Sequence, residues 1–187
     1  MDAFSLHDSA LSSEPLRQLL QDPRCGGCVA FEGWVRDHNE GRRVLRLEYE
    51  AFAPLALREG ERILAEARER FGVERAYCAH RVGSLAIGEL AVWVGVSSAH
   101  RGESFEACRY IIDQVKHRVP IWKKEHYESG DSGWVNCERC AQAAATEGAH
   151  AGHGHRHGPA HATEHAGTAQ DAPAPRNAQA LAGESQD

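Results

Sequence analysis

Apolar and polar residues alternate over two neighbouring stretches in the first third of the chain, residues 28–37 and 44–52. A period of two is the pattern of a strand that turns one face toward a core. In the second stretch Leu45, Leu47 and Tyr49 fall on one side, and charged residues separate them. Residues 38–41, between the two stretches, end in Gly, which favours a turn. We therefore predict two strands joined by a turn.

Further strands are predicted at residues 73–82 and 90–98, and the second is almost wholly apolar, which is typical of a central strand. Between them, residues 83–89 contain two glycines and are predicted to form a tight loop. Short extended pieces are predicted at residues 121–127 and 134–137.

Two long helices are predicted from apolar residues spaced three and four apart. The first covers residues 54–71 and ends before Gly72, which stands where a C-terminal cap belongs. The second covers residues 102–118, and Pro120 forbids its continuation. A short helix is predicted at residues 13–21, where Ser and Pro form a usual start. The apolar stripe of the second long helix comprises Phe105, Cys108, Ile111, Ile112, Val115 and Val119.

Strands and helices in this order predict an α+β fold in which one mixed sheet is covered by two main helices. Residues 141–187 hold no aromatic residue, no Val or Ile and a single Leu, but many Ala, Gly and Pro. Such a segment buries too little apolar surface to offset the entropy of ordering it. We therefore predict a folded domain over residues 1–140 and a disordered tail over residues 141–187.

The formal net charge is −6, and aromatic and basic residues are not interleaved as they are in proteins that follow a phosphate backbone. Nucleic acid is therefore not an expected partner. The N-terminus carries acids and no apolar run, so we expect neither a signal peptide nor a membrane span, and hence a cytoplasmic location. In that compartment the six Cys residues are expected to be thiols or metal ligands rather than disulfides.

Cations cluster around the end of the second long helix. Lys116, His117 and Arg118 close the helix, and Lys123 and Lys124 follow soon after it. Such a cluster suits an anion site, although basic residues in a last helical turn also complement the helix macrodipole. Lys116 falls at the edge of the buried stripe, where desolvation and a second ammonium nearby favour the neutral amine, so that it or Lys123 could act as a base or nucleophile. The alternative is a lysine whose stem covers the core while its ammonium stays in water.

Two His-Arg pairs end predicted strands. His100 and Arg101 stand at the start of the second long helix, whose free N–H groups can bind an anion, so we include them among the candidate site residues. His80 and Arg81 are left out of the predicted site, because such a pair is more often satisfied locally at a strand end. Arg36 lies next to a turn and alone would be only a solvated charge.

Two Cys-x-x-Cys pairs bracket the predicted domain, Cys25 with Cys28 and Cys137 with Cys140. Four thiolates in two such pairs match a structural zinc site, provided that the two ends of the domain meet. Free thiols are the alternative, because the segment between the pairs is far longer than the loop of a zinc ribbon. The tail adds histidines that could chelate a metal weakly without fixing its geometry: His150, His153, His155, His157, His161 and His165.

Six blocks of the chain, taken together and in order, resemble the large, catalytic subunit of molybdopterin synthase, the MoaE family. They are residues 29–39, 47–52, 80–85, 95–101, 105–108 and 120–125, and they include the sequences WVRDHN, SSAHR and PIWKKE. Six ordered blocks are more specific than any one of them. The Cys-x-x-Cys pairs and the His-rich tail are additions to the family pattern.

The resemblance implies an α/β hammerhead fold and a central homodimer with a small ubiquitin-like sulfur carrier docked at each end, as a heterotetramer. The carrier's C-terminal Gly-Gly thiocarboxylate would give sulfur, in two rounds, to cyclic pyranopterin monophosphate (precursor Z), forming the dithiolene of molybdopterin. This chain would then be a sulfurtransferase that requires no cofactor. Lys116 and Lys123 match the family's two active-site lysines. The substrate-binding residues implied are Trp34, Val35, Arg36, His100, Arg101, Lys116, Lys123, Lys124 and Glu125.

In that mechanism Arg36, His100 and Arg101 would hold the substrate phosphate. One lysine would serve as acid, base or transient acyl acceptor while the other neutralises developing charge, and the sequence leaves their order open. Two alternatives to the enzyme are a protein that docks the carrier without catalysis and a metal-binding protein built around the tail.

Overall fold

The computed structural model describes residues 3–130 and 133–136, and the predicted tail, Cys137 and Cys140 lie outside them. The strands are β1 (Phe4–His7), β2 (Gly27–Trp34), β3 (His38–Asn39), β4 (Arg42–Ala51), β5 (Arg75–Arg81), β6 (Gly83–Ala86), β7 (Leu90–Ser98), β8 (Ile121–Tyr127) and β9 (Trp134–Asn136). The helices are α1 (Ser13–Gln18), α2 (Ala53–Phe71) and α3 (Arg101–Arg118). The predicted domain boundary at residue 140 stays a prediction.

The described strands form two sheets. The first is mixed and has the order β1-β5-β7-β2, with β1 parallel to β5 and the other pairs antiparallel. The second is antiparallel and has the order β3-β4-β8-β9, with β6 also paired to β4. The predicted α+β class and mixed sheet are confirmed, and a second sheet, which the sequence pattern did not separate from the first, is added.

The chain passes from the first sheet to the second at the junction of β5 and β6. Only Val82 separates these strands, yet β5 pairs with β7 in the first sheet while β6 pairs with β4 in the second. Gly83 takes the left-handed conformation, with φ at +85°, where the chain leaves one sheet for the other. The loop predicted over residues 83–89 therefore begins with a strand.

The main core lies between the first sheet and the two long helices. Ile63 of α2, Ile111 and Val115 of α3 and Val94 of β7 are all buried there. Burial of one such side chain contributes about 1.5–3 kcal/mol to folding. As predicted, α2 ends at Gly72, whose φ of +63° is that of a left-handed cap.

The first strand, β1, was not predicted, although it carries one of the fully buried side chains. Phe4 is 0% exposed and packs against α2 at Gly60, where an added Cβ would collide with the Phe4 ring. Four residues are too few for an alternation to be recognised in the sequence. The start of the chain is therefore part of the core.

Two predicted core residues are exposed instead. A bulge in β4 between Val44 and Arg46 turns Leu45 outward, so that its exposed fraction is 52%. Phe105 is 61% exposed, because α3 turns Ser104 and its other buried residues toward the sheet. Within the described residues, no helix is long and apolar enough to cross a membrane.

Candidate functional site

A cavity of about 290 Å³ lies where both sheets meet the C-terminal end of α3. Strands of both sheets, the turn after β2 and α3 all contribute to its wall, so residues far apart in the sequence meet there. Its lining comprises Trp34, Arg36, His38, Leu47, Tyr49, His80, Val92, Ile112, Val115, Lys116, Ile121, Lys123 and Glu125. We call it the lysine cavity.

Lys116 and Lys123 enter the lysine cavity from different elements. Lys116 is partly buried in the last turn of α3, at the edge of the apolar stripe as predicted. Val119 is extended ahead of Pro120, which ends the helix, and β8, which begins at Ile121, also contributes to the cavity lining. The period of two in β8 turns Lys123 inward. A helix stop between the two lysines thus brings two amines to one space.

Glu125 holds Lys123 in place. The Lys123 Nζ donates a hydrogen bond of 3.0 Å to Oε1 of Glu125, and Asn39 Nδ2 donates one of 2.8 Å to Oε2. The Tyr127 hydroxyl also donates to Oε2. Burial raises the pKa of Glu125, but these hydrogen bonds and the Lys123 charge outweigh it, so the pKa lies below its ordinary value. The carboxylate is therefore ionised beside the ammonium.

Two of the predicted residues of the segment 34–36 line the lysine cavity. Arg36 is exposed in the turn after β2, and its Nη2 donates a 3.3 Å hydrogen bond to Oδ1 of Asn39. Trp34 lines the cavity while 62% of its surface stays exposed. Val35 is 3% exposed, packs in a small apolar cluster and does not line the cavity, so its predicted contact with the substrate stays a prediction.

Lys124 lies on the opposite face of β8 from Lys123. Its Nζ lies 5.5 Å from the centroid of the Trp134 ring, in a cation–π contact. Because successive residues of a strand point to opposite faces, Lys123 and Lys124 cannot both enter the cavity. Lys124 does not line the lysine cavity, and its predicted contact with the substrate stays a prediction.

His100 and Arg101 are exposed at the other end of α3. The Ser98 hydroxyl, which donates to the His100 carbonyl at 2.6 Å, fixes the start of that helix. Along a helix axis the separation of Arg101 from Lys116 is roughly 22 Å. Within one chain, His100 and Arg101 therefore do not line the lysine cavity, and their predicted contact with the substrate stays a prediction.

His80, which the sequence analysis left out, lines the lysine cavity. It is 6% exposed, its Nδ1 lies 2.7 Å from the carbonyl oxygen of Arg81, and its ring stands edge-on to that of Tyr49. Burial lowers the pKa of His80 to about 4, the nearby charge of Lys116 acts in the same direction, and the Arg81 carbonyl opposes both. The signal was present, because His80 shares the inward face of β5 with Cys78, two residues before it.

The first Cys-x-x-Cys pair lies elsewhere. Cys25 is partly buried and Cys28 is exposed, and both line an open depression of about 520 Å³ that shares no residue with the lysine cavity. In residues 3–130 and 133–136, no group of three or more His, Cys, Asp or Glu could hold a metal ion. Cys137 and Cys140 fall outside those residues, so the zinc site stays a prediction.

Comparison with known proteins decides the family. Residues 6–118 match the model of the MoaE protein family. The chain belongs to the MoaE family. It is 45% identical over 139 residues to the molybdopterin synthase catalytic subunit of Synechococcus elongatus, covering 70% of this chain and 84% of that one. With the corresponding subunit of Pyrococcus abyssi it is 46% identical over 121 residues, covering 65% and 81%.

A solved structure of a molybdopterin synthase supports the same conclusion. The crystal structure of molybdopterin synthase from Staphylococcus aureus aligns with a TM-score of 0.68 at 35% identity, covering 72% of this chain and 98% of that one. The predicted family and fold are therefore confirmed.

Proposed function

We propose that this chain is the catalytic subunit of a molybdopterin synthase, which transfers sulfur from a carrier thiocarboxylate to cyclic pyranopterin monophosphate. Beside family membership, the observation that carries the proposal is that Lys116 and Lys123 line one cavity. Both the substrate phosphate and the thiocarboxylate are anions, and a partly enclosed pair of ammonium groups stabilises them better than water-exposed cations do.

In each round, the thiocarboxylate sulfur would form a bond to a substrate carbon while a carbon–oxygen bond of that carbon breaks, and the displaced oxygen would leave as water or remain on the phosphate. The bond between that sulfur and the carrier's acyl carbon would then break, and water would supply the oxygen with which the carrier leaves as a carboxylate. Two carriers are consumed for each dithiolene. No cofactor is needed for this exchange.

The surroundings of Lys116 and Lys123 support different catalytic roles for the two amines. Lys123 faces the ionised Glu125, which favours its charged form, so we assign it to neutralising the charge that develops on the substrate. Lys116 lines the same cavity from the last turn of α3, and we assign to it the transfer of protons, with transient acyl acceptance as the other option.

The assembly completes the proposal. In a homodimer of the kind that the family resemblance implies, a second copy would bring its own His100 and Arg101 to the lysine cavity, because one chain cannot. The partner would be a small sulfur carrier whose C-terminal tail enters the same cavity. Catalysis would take place in the cytoplasm.

Reconstitution tests the proposed function. Purified chain, thiocarboxylated carrier and precursor Z are mixed, and molybdopterin is detected; absence of product from a folded, carrier-bound protein would overturn the proposal. Lys116→Ala should abolish molybdopterin formation while carrier binding persists. If the chain only docks the carrier, the substitution should change neither measurement. Arg109→Ala, an exposed cation of the same helix outside the cavity lining, is the matched control.

A shortened chain tests the metal-binding alternative. Removal of residues 141–187 should leave turnover intact if the chain is an enzyme. A protein whose purpose is metal binding by the tail would instead lose that binding and would show no turnover in either form.

A further inference from the structure

We propose that His80 is a further substrate-binding residue, whose Nε2 accepts a hydrogen bond from an N–H group of the bound pterin ring. The inference rests on the proposed function and adds a residue to that same site. It starts from the position of His80 in the lysine cavity, together with Lys116 and Lys123.

The backbone fixes which nitrogen of His80 carries the proton. The carbonyl oxygen of Arg81, 2.7 Å from Nδ1, can only accept a hydrogen bond, so Nδ1 must be the donor. A neutral imidazole has one N–H group, and Nε2 is then left with a free lone pair. Within the described part of the chain, no hydrogen bond engages Nε2.

The charges around the ring keep it neutral. His80 is 6% exposed, and an additional positive charge there would be poorly solvated. Lys116 of α3 faces it, Lys123 of β8 lines the same space, and the Glu125 carboxylate already forms an ion pair with Lys123. From β4 the ring is packed by Tyr49, with the two ring centroids 5.0 Å apart and the planes at 82°. The imidazole is thus both neutral and fixed in orientation.

A pterin needs such an acceptor. Its heterocycle carries ring and amino N–H donors, but the cations of the cavity, Arg36, Lys116 and Lys123, can only donate. The Glu125 carboxylate already accepts three hydrogen bonds from protein groups. His80 is therefore placed to bind the heterocycle while the cations bind the anionic groups.

Two substitutions test the roles of Nδ1 and Nε2 of His80 separately. His80→Asn keeps a donor at the position of Nδ1, so the Arg81 carbonyl stays satisfied, but it leaves no acceptor at the position of Nε2. His80→Gln places its amide oxygen near the position of Nε2 instead. His7→Asn on β1 is the matched control, because His7 bonds to Ser5 and does not line the lysine cavity.

Steady-state kinetics with thiocarboxylated carrier and precursor Z, with thermal unfolding alongside, gives the readout. We expect His80→Asn to raise the KM for precursor Z about three- to tenfold with kcat within about twofold, the loss of one hydrogen bond to the substrate. His80→Gln should recover part of the loss, and His7→Asn should match the unsubstituted protein. An unchanged KM in a folded His80→Asn variant, beside an active unsubstituted protein, overturns the role of His80 alone. If the unsubstituted protein makes no molybdopterin, the proposed function fails and this inference fails with it.

Nitrogen-15 NMR of the imidazole in the unsubstituted protein is independent of turnover and of the stability of the variants. We expect a neutral ring protonated on Nδ1 at pH 7, with the Nε2 resonance moving when precursor Z is added. A ring protonated on Nε2 would refute the proposal even if His80→Asn does not fold. An Nε2 chemical shift that stays unchanged at saturating precursor Z would refute it as well.

Discussion

The Lys123 ammonium and the Glu125 carboxylate form an ion pair of 3.0 Å, and their side chains are only 14% and 9% exposed. A buried pair of this kind is sensitive to the loss of either member, because the charge that remains has neither water nor a partner. The geometry of the lysine cavity therefore depends on a residue that takes no direct part in the proposed chemistry.

Replacing Glu125 by Gln should affect both activity and stability. Lys123 would keep a neutral neighbour but lose its counter-charge, so we expect the free energy of unfolding in urea to fall by about 1–3 kcal/mol. We also expect kcat/KM to fall at least about tenfold, because Lys123 would no longer be held in the cavity. Glu128→Gln, which breaks an ion pair with Arg43 whose side chains are 69% and 64% exposed, should change the unfolding free energy by less than about 0.5 kcal/mol. Equal effects at the two positions would contradict this interpretation of the pair.

Tyr127→Phe should change the pH dependence of stability. The pKa of Glu125 is lowered in the folded state, so the carboxylate contributes stability above its ordinary value of 4.5, and this contribution is lost as the pH falls through the folded pKa. Burial raises that pKa, and the Tyr127 hydroxyl is the largest of the influences that lower it. Without the hydroxyl, the acid loss of stability should begin at a higher pH, which denaturant unfolding over a pH series would detect. If both proteins lose stability over the same acid pH range, the Tyr127 hydroxyl does not lower the pKa of Glu125.

A second prediction about pH concerns the contact between the long helices. Arg118 donates to both oxygens of Glu66, and these bonds with that of Tyr110 lower the pKa of Glu66 to about 2 despite burial. Stability from this carboxylate is present above 4.5 and disappears as the pH falls through about 2. Arg118→Met should cost about 1–2 kcal/mol at neutral pH, and the difference from the unsubstituted protein should shrink toward pH 2. Arg62→Met, which removes a 69% exposed partner of the same Glu66, should cost less.

Gly60→Ala should destabilise the protein through its contact with β1. The new methyl group would overlap the Phe4 ring, which is fully buried, so we expect a loss of about 1–3 kcal/mol in the free energy of unfolding. Gly102→Ala, also in a helix but with open space around the added Cβ, should leave stability unchanged or slightly raised. If both variants unfold at the same denaturant concentration, the packing of β1 on α2 is not what the structure describes.

The sequence revealed those parts of the site that local signals mark. Local patterns placed Lys116 at the edge of a buried stripe and Lys123 shortly after a proline stop, and the family resemblance then identified both as candidate active-site lysines. His80 was left out although the alternation of β5 places it on the same face as the buried Cys78. Its proposed role depends on a cavity formed by elements distant in the sequence, and the alternation shows only that the side chain is buried, not that it lines a cavity.

The fold, too, was predicted where the sequence signal is local and was not predicted where it depends on pairing between distant segments. Helix bounds and the central β7 followed from periodicity, whereas the bulge that exposes Leu45 and the change of sheet at Gly83 depend on pairing with other strands. The sequence already placed His100 at the start of α3 and Lys116 at its end, so the distance between them follows from the length of that helix.

Because Lys123 and Lys124 lie on opposite faces of β8, a deletion just before this strand would change which amine faces the lysine cavity. Removal of one residue between Arg118 and Ile121 would shift β8 by one position, so that Lys123 and Glu125 would turn away from the lysine cavity together and Lys124 and His126 would take their places. The amine that then faced the cavity would have an imidazole, not a carboxylate, two residues after it.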